Sequence, residues 1–156
     1  MAEHDMVYWK TFWDDIDSPL QVKCDWYTNK RDFFEGLRRG DSLWVVTSGE
    51  ESHGDEWRLL QRLFVDTLDP VPSDSHYGRF RIIGNPLLSQ LFDPDNQADF
   101  TPILKHLEFS TGKSIEFTGR KIGQALQSPR ALSPNDADTL VKHSRTLTEV
   151  ETQWVE

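Results

Sequence analysis

The chain has 156 residues and carries 26 acidic against 17 basic side chains, a net charge of −9. Its 37% hydrophobic and 28% charged content is that of an ordinary globule and excludes a disordered, collagen-like or membrane-embedded chain. One cysteine, Cys24, allows no intrachain disulfide and no cysteine-based metal cluster, and fits a reducing, cytoplasmic setting.

Residues 7–13, Val-Tyr-Trp-Lys-Thr-Phe-Trp, are β-branched and aromatic and predict a first strand, broken by the run from Asp14 to Pro19. From Asn29 to Arg39 the apolar Phe33, Phe34 and Leu37 fall on one helical stripe, and Gly40 follows as a stop. Ser42 to Thr47 is nearly all apolar and predicts a buried strand, with a polar loop from Ser48 to Asp55. Trp57 to Thr67 fits a helical stripe as well as a strand; its Leu-Phe-Val ending favours a long strand. Tyr77 to Ile83 alternates and predicts another strand. Residues 84–99 contain Pro86 and Pro94 and predict a long connection with one helical turn at Pro86 to Phe92. A short helix is expected from Phe100 to His106. Ser133-Pro134-Asn135-Asp136 combines a capping side chain, a proline at the first helical position and an acid, and opens a helix ending near Ser144. The expectation is a single domain over residues 1–147, a loosely held tail over 148–156 on which Trp154 can dock, and an α+β, barrel-like fold.

Signatures of catalysis are missing. There is no glycine-rich phosphate loop, and the five histidines stand apart from one another. The acidic pairs (Asp14-Asp15, Glu50-Glu51, Asp93 with Asp95, Asp136 with Asp138) fall in loops or at a helix start, where turn and capping roles account for them. Cys24 would need His53 or His143 beside it to act as a nucleophile; a lone cysteine is more commonly a small buried apolar residue. No metal and no cofactor is expected.

The six tryptophans are a large number for this length. Trp9 and Trp44 lie in apolar strand runs and read as packing residues. Trp26 and Tyr27 differ, since Asp25, Thr28, Asn29 and Lys30 surround them, a pattern read here as an aromatic pair on a polar loop. Exposed rings can stack on a nucleobase, and Asn29 with the hydroxyls of Thr47 and Ser48 can read its edge. The plainer alternative is a tryptophan that caps the apolar stripe of the following helix. Charge is uneven: residues 1–60 carry 13 acids and 7 bases, whereas 111–156 carry 6 of each. Lys30 and Arg31 beside the aromatic pair, and Lys113, Arg120, Lys121 and Arg130 further on, are the candidate contacts to a phosphate backbone.

Taken in order, these pieces resemble the EVE domain of the PUA-like superfamily, which also includes the YTH and ASCH domains. The likeness rests on Tyr8-Trp9, Trp26 with Asn29, Gly40-Asp41, Thr47-Ser48, Leu107-Glu108-Phe109, the run Leu126 to Leu132 and Ser144-Arg145-Thr146-Leu147, and spans about residues 7–147. The resemblance implies a small, mostly antiparallel PUA-like β-barrel with flanking helices. It implies recognition of a modified base, flipped out of DNA or exposed in RNA, without catalysis; in bacteria such domains often accompany modification-dependent nucleases. By motif position Trp26, Asn29 and Ser48 would line the pocket, with Tyr27 and Thr47 beside it and Trp13 and Trp44 as further candidates. Two other readings stay open. An acidic, aromatic-rich chain suits a protein–protein adaptor for a basic partner, and the ASCH relationship leaves room for an RNA-cleaving enzyme.

Overall fold

Residues 42–48 read Ser-Leu-Trp-Val-Val-Thr-Ser, and all but the last are buried. An unbroken buried run suits a strand covered on both faces, and this one lies inside a sheet. The computed structural model describes residues 3–12, 23–48, 56–70, 79–110, 122, 125–150 and 154. Among them the protein is α+β, with seven strands in one mixed, mostly antiparallel sheet and three helices. The strands are β1 (His4–Tyr8), β2 (Asp25–Thr28), β3 (Ser42–Ser48), β4 (Trp57–Pro70), β5 (Phe80–Gly84), β6 (Gln90–Leu91) and β7 (Arg130–Ala131). The helices are α1 (Arg31–Gly36), α2 (Thr101–His106) and α3 (Pro134–Ser144). The strand order is β2-β5-β4-β3-β1-β7, with β6 paired to β4, and β1 with β3 is the parallel pair.

Side chains alternate across the strands and divide the core in two. Val7, Leu43, Val45, Leu63 and Ile82 enter one cluster together with Phe34 and Leu37 at α1; this is called the inner face. Met6, Trp44, Val46, Trp57 and Leu59 enter the other, the outer face, beneath Leu104 of α2 and Leu140 of α3. β4 serves both halves of the sheet. Its first part pairs with β3 and β6, its last part with β5, and the register shifts at Val45/Val46 on β3 and at Val65/Thr67 on β4 itself. Bulges bend a strand and increase its twist. The sheet accordingly curls: Trp9 at the end of β1 meets Trp26 of β2, ring centroids 6.3 Å apart, although β5, β4 and β3 separate those strands in the order.

Several boundaries differ from expectation. β1 starts at His4 and ends at Tyr8, and Trp9 continues the pairing by donating its N–H to the Val46 carbonyl at 2.9 Å. α1 ends at Gly36, short of Arg39, because the backbone leaves for the Asp41 side chain, which accepts from the Arg38 N–H at 2.9 Å and the Glu3 N–H at 3.0 Å. Gly40, at φ 94°, makes the left-handed turn this requires. The helical turn expected at 86–92 is shorter: the Leu88 and Ser89 N–H groups close one turn on the Asn85 carbonyl at 3.2 and 2.9 Å, and β6 follows. The start of the expected loose tail is tied down: Phe92 bridges to Glu149, Val150 donates to the Leu91 carbonyl at 2.7 Å, and Trp154 packs on the inner cluster.

α3 is as the sequence predicts. Ser133 accepts from the Asp136 N–H, and Asp136 accepts in return from the Ser133 N–H, both at 3.1 Å, a complete capping box. The same buried carboxylate accepts from the Glu108 and Phe109 N–H groups at 2.9 and 2.7 Å. Phe109 needs that hold, since its φ of 59° is left-handed, a conformation costing roughly 1–2 kcal/mol outside glycine.

Candidate functional site

The C-terminal ends of β1 and β3, the start of β4 and the edge strand β2 bring five aromatic rings to one end of the sheet. Trp9 is fixed by its backbone: its carbonyl accepts from the buried Thr47 Oγ1 at 2.8 Å. Its ring stands edge-on to Phe12 (5.1 Å, 82°) and to Trp26 (6.3 Å, 84°). Both tryptophans are half-buried and pack against the inner cluster. Across the sheet, Tyr8 leans on Trp57 at 4.8 Å, and its hydroxyl stands 3.5 Å from Ser48 Oγ.

Trp26 and Tyr27 are not on a loop. They belong to β2, which pairs with β5 so that Trp26 faces Ile82 and Tyr27 faces Arg81. Neighbours on a strand point to opposite sides, so the two rings do not line one pocket. Trp26 joins Ile82 and Phe80 on the inner face, while Tyr27 lies outside beneath the Arg81 guanidinium at 5.9 Å. Arg81 in turn makes an ion pair with Asp25 at 2.9 Å.

Trp44 also departs from the expected group. It faces the outer cluster, fully buried, with Arg62 4.7 Å above its ring and its Nε1–H donated to His4 Nδ1 at 3.4 Å. Sealed on that side, it shares no wall with Trp26. Thr47 is likewise fully buried, and its hydroxyl is spent on Trp9. Asn29 is exposed next to β2 and accepts from the Arg79 N–H at 3.0 Å. Lys30 and Arg31 are exposed, the latter 5.9 Å from the Phe80 ring. Arg130 sits in β7, at the opposite end of the strand order, 4.1 Å over Phe109. Trp13, Lys113, Arg120 and Lys121 lie outside the described residues, as does His53.

The residue that sequence reasoning undervalued is Trp9. A readable signal exists: in a strand that buries Val7 inward, the residue two further on shares its face. The local electrostatics are less acidic than the whole. Over residues 23–36 and 79–84 there are five cations (Lys23, Lys30, Arg31, Arg79, Arg81) and three acids (Asp25, Asp32, Glu35).

Cys24 precedes β2 and packs on the inner cluster, whereas the His143 ring lies 5.2 Å from Phe100 of the outer one, so those two do not form a nucleophile–base pair. Burial pushes the Cys24 thiol up, against a hydrogen bond with Ser89 that acts the other way; a thiol so held is a poor nucleophile at neutral pH. Among the described residues no three His, Cys, Asp or Glu side chains group as metal ligands, and no helix is long and apolar enough to cross a membrane. No protein-family model matches the chain, and no curated protein matches it in sequence.

Proposed function

We propose that the chain is a non-catalytic reader of a modified nucleobase, built on a PUA-like barrel of the EVE type. The observation that carries this reading is the perpendicular pair Trp9–Trp26, half-buried over the apolar inner face where the curled sheet brings β1 and β2 together. Two rings at right angles can stack on one face of a flat heterocycle and abut its edge, and a base–ring stack contributes about 1–3 kcal/mol. Lys30 and Arg31, exposed where the chain leaves β2 for α1, can neutralise phosphates flanking the base. The guest is DNA or RNA carrying the modified base, and a link to modification-dependent restriction belongs to the same reading.

A titration of the whole chain with matched oligonucleotides, with and without a methylated base, tests the proposal. Trp26→Ala is expected to weaken binding to the preferred oligonucleotide by about 1–3 kcal/mol; thermal unfolding is read alongside, because the half-buried ring also packs on the inner cluster. Equal binding of modified and unmodified strands, unaffected by Trp26→Ala, would rule the reader out.

One feature favours a second reading, a protein–protein adaptor. Leu87 and Leu88 are 92% and 58% exposed at the turn between β5 and β6, an apolar tip on an otherwise acidic surface. A double Ser substitution there that abolishes recovery of a specific basic partner, with nucleic-acid binding absent at low salt, would support it.

A further inference from the structure

We infer that the carboxamide of Gln61 is the group that hydrogen-bonds the polar edge of the base held by Trp9 and Trp26, an inference that rests on the reader function proposed above. Gln61 is 1% exposed, yet neither its Nε2 nor its Oε1 has a hydrogen-bond partner. Buried amides are almost always paired, and one with both ends free calls for a partner from outside the fold. The contrast with Gln97 sharpens the point. That side chain is fully used by the structure: Nε2 donates to the Leu59 and Asp93 carbonyls at 2.9 and 3.0 Å, and Oε1 accepts from the Leu59 N–H at 3.0 Å.

Register places Gln61 on the right face. Val7 pairs with Val45, Val45 with Gln61 and Gln61 with Leu91, so these four form one row across β1, β3, β4 and β6. The other three members of the row all belong to the inner cluster, against which Trp9 and Trp26 pack. Trp9 follows Val7 by two residues. With strands about 4.8 Å apart and about 6.7 Å per residue pair, its Cα lies roughly 12 Å from that of Gln61, a span across which two side chains can meet one heterocycle. The register shift at Val45/Val46 falls at this point on β4, with Leu60 as the extra residue; bulges beside binding sites re-aim side chains in this way.

A carboxamide offers a donor and an acceptor side by side. The complementary guest is a base whose edge presents an acceptor next to a donor, as adenine does with N7 and N6 and cytosine with N3 and N4. A methyl group elsewhere on the ring would be left to the apolar side chains of the row.

The test uses the full chain with Gln61→Leu and, as a second apolar variant close to glutamine in shape, Gln61→Met. Binding is followed through tryptophan fluorescence with single-stranded oligonucleotides containing one N6-methyladenine, one C5-methylcytosine or the plain base, alongside thermal unfolding. Removing an amide that the folded protein leaves unpaired should leave Tm unchanged or raise it, while affinity falls by about tenfold or more. Binding within twofold of the parent overturns the inference and leaves the reader function standing. A lower Tm with binding intact also overturns it, since the amide would then be serving a buried structural water. Failure of the parent chain to bind any of the oligonucleotides removes the reader function itself, and this inference with it.

Discussion

Asp5 sits half-buried in β1, which is flanked by β3 and β7. Burial chiefly, with Glu3 and Asp41 nearby, lifts its pKa from 3.8 to about 6. An acid whose folded pKa exceeds its unfolded one holds its proton more tightly in the folded state. Stability is therefore lost as the pH climbs from about 4 to about 6, and the deficit persists above that. Asp5→Asn is expected to raise Tm at pH 7 and to leave it nearly unchanged near pH 3. Thermal scans at the two pH values check this; a fall at pH 7, or equal shifts at both, would contradict it. Not every buried acid is a liability. Asp136 accepts from Ser133, Glu108 and Phe109 N–H groups and so ties α3 to a left-handed residue far from it in sequence.

At the scale of elements, the position of β2 decides where Trp26 goes, and β2 is set by close packing on the end of β5. The Gly84 N–H donates to the Cys24 carbonyl at 2.8 Å, and a Cβ on Gly84 would stand 2.8 Å from Cys24 Sγ and 3.2 Å from Ser89 Oγ. Gly84→Ala is expected to cost about 1–3 kcal/mol, the range for forcing extra volume into a packed site. Adding Cys24→Ala should recover most of that, because the nearest clashing atom is then gone. Urea unfolding of the two variants measures it; a neutral Gly84→Ala would mean that something other than this contact holds β2. β2 was also the element hardest to see in the sequence. Asp-Trp-Tyr-Thr is short and flanked by polar residues, and its pairing partner Phe80–Gly84 lies more than 50 positions away. β3 and α3 were legible for the opposite reason, since a continuous apolar run and a capping box are local signals, whereas the stretch that became β4 also fitted a helical stripe and only its ending favoured a strand.

For the whole molecule, the net charge of −9 limits how nucleic acid can be held. With five cations over residues 23–36 and 79–84, the slope of log K against log salt should not exceed about 4 in magnitude, at roughly 0.7–0.9 per phosphate neutralised. Measuring affinity from low to moderate salt tests this. A slope near zero would detach those cations from binding, and a much steeper one would bring in residues beyond β2, α1 and β5. The curl of the sheet matters here as well, because it carries Trp9, which follows β1 of the parallel β1–β3 pair, to Trp26 of β2.

What local sequence determined by itself was the class of fold, most of the long elements, and the presence of more aromatic side chains than an ordinary core uses. The partnership of those rings was decided only by the tertiary structure. Trp26 was paired by sequence with its neighbour Tyr27 and with Trp44, but strand alternation turns Tyr27 outward and buries Trp44 on the other face. Its actual companion, Trp9, comes from 17 positions earlier in the numbering and from the other side of the sheet order. The physical reason is that a side chain's face follows from strand parity, and its neighbours from how far a bulged sheet bends; parity needs a known strand, and bending needs contacts between residues far apart in the chain.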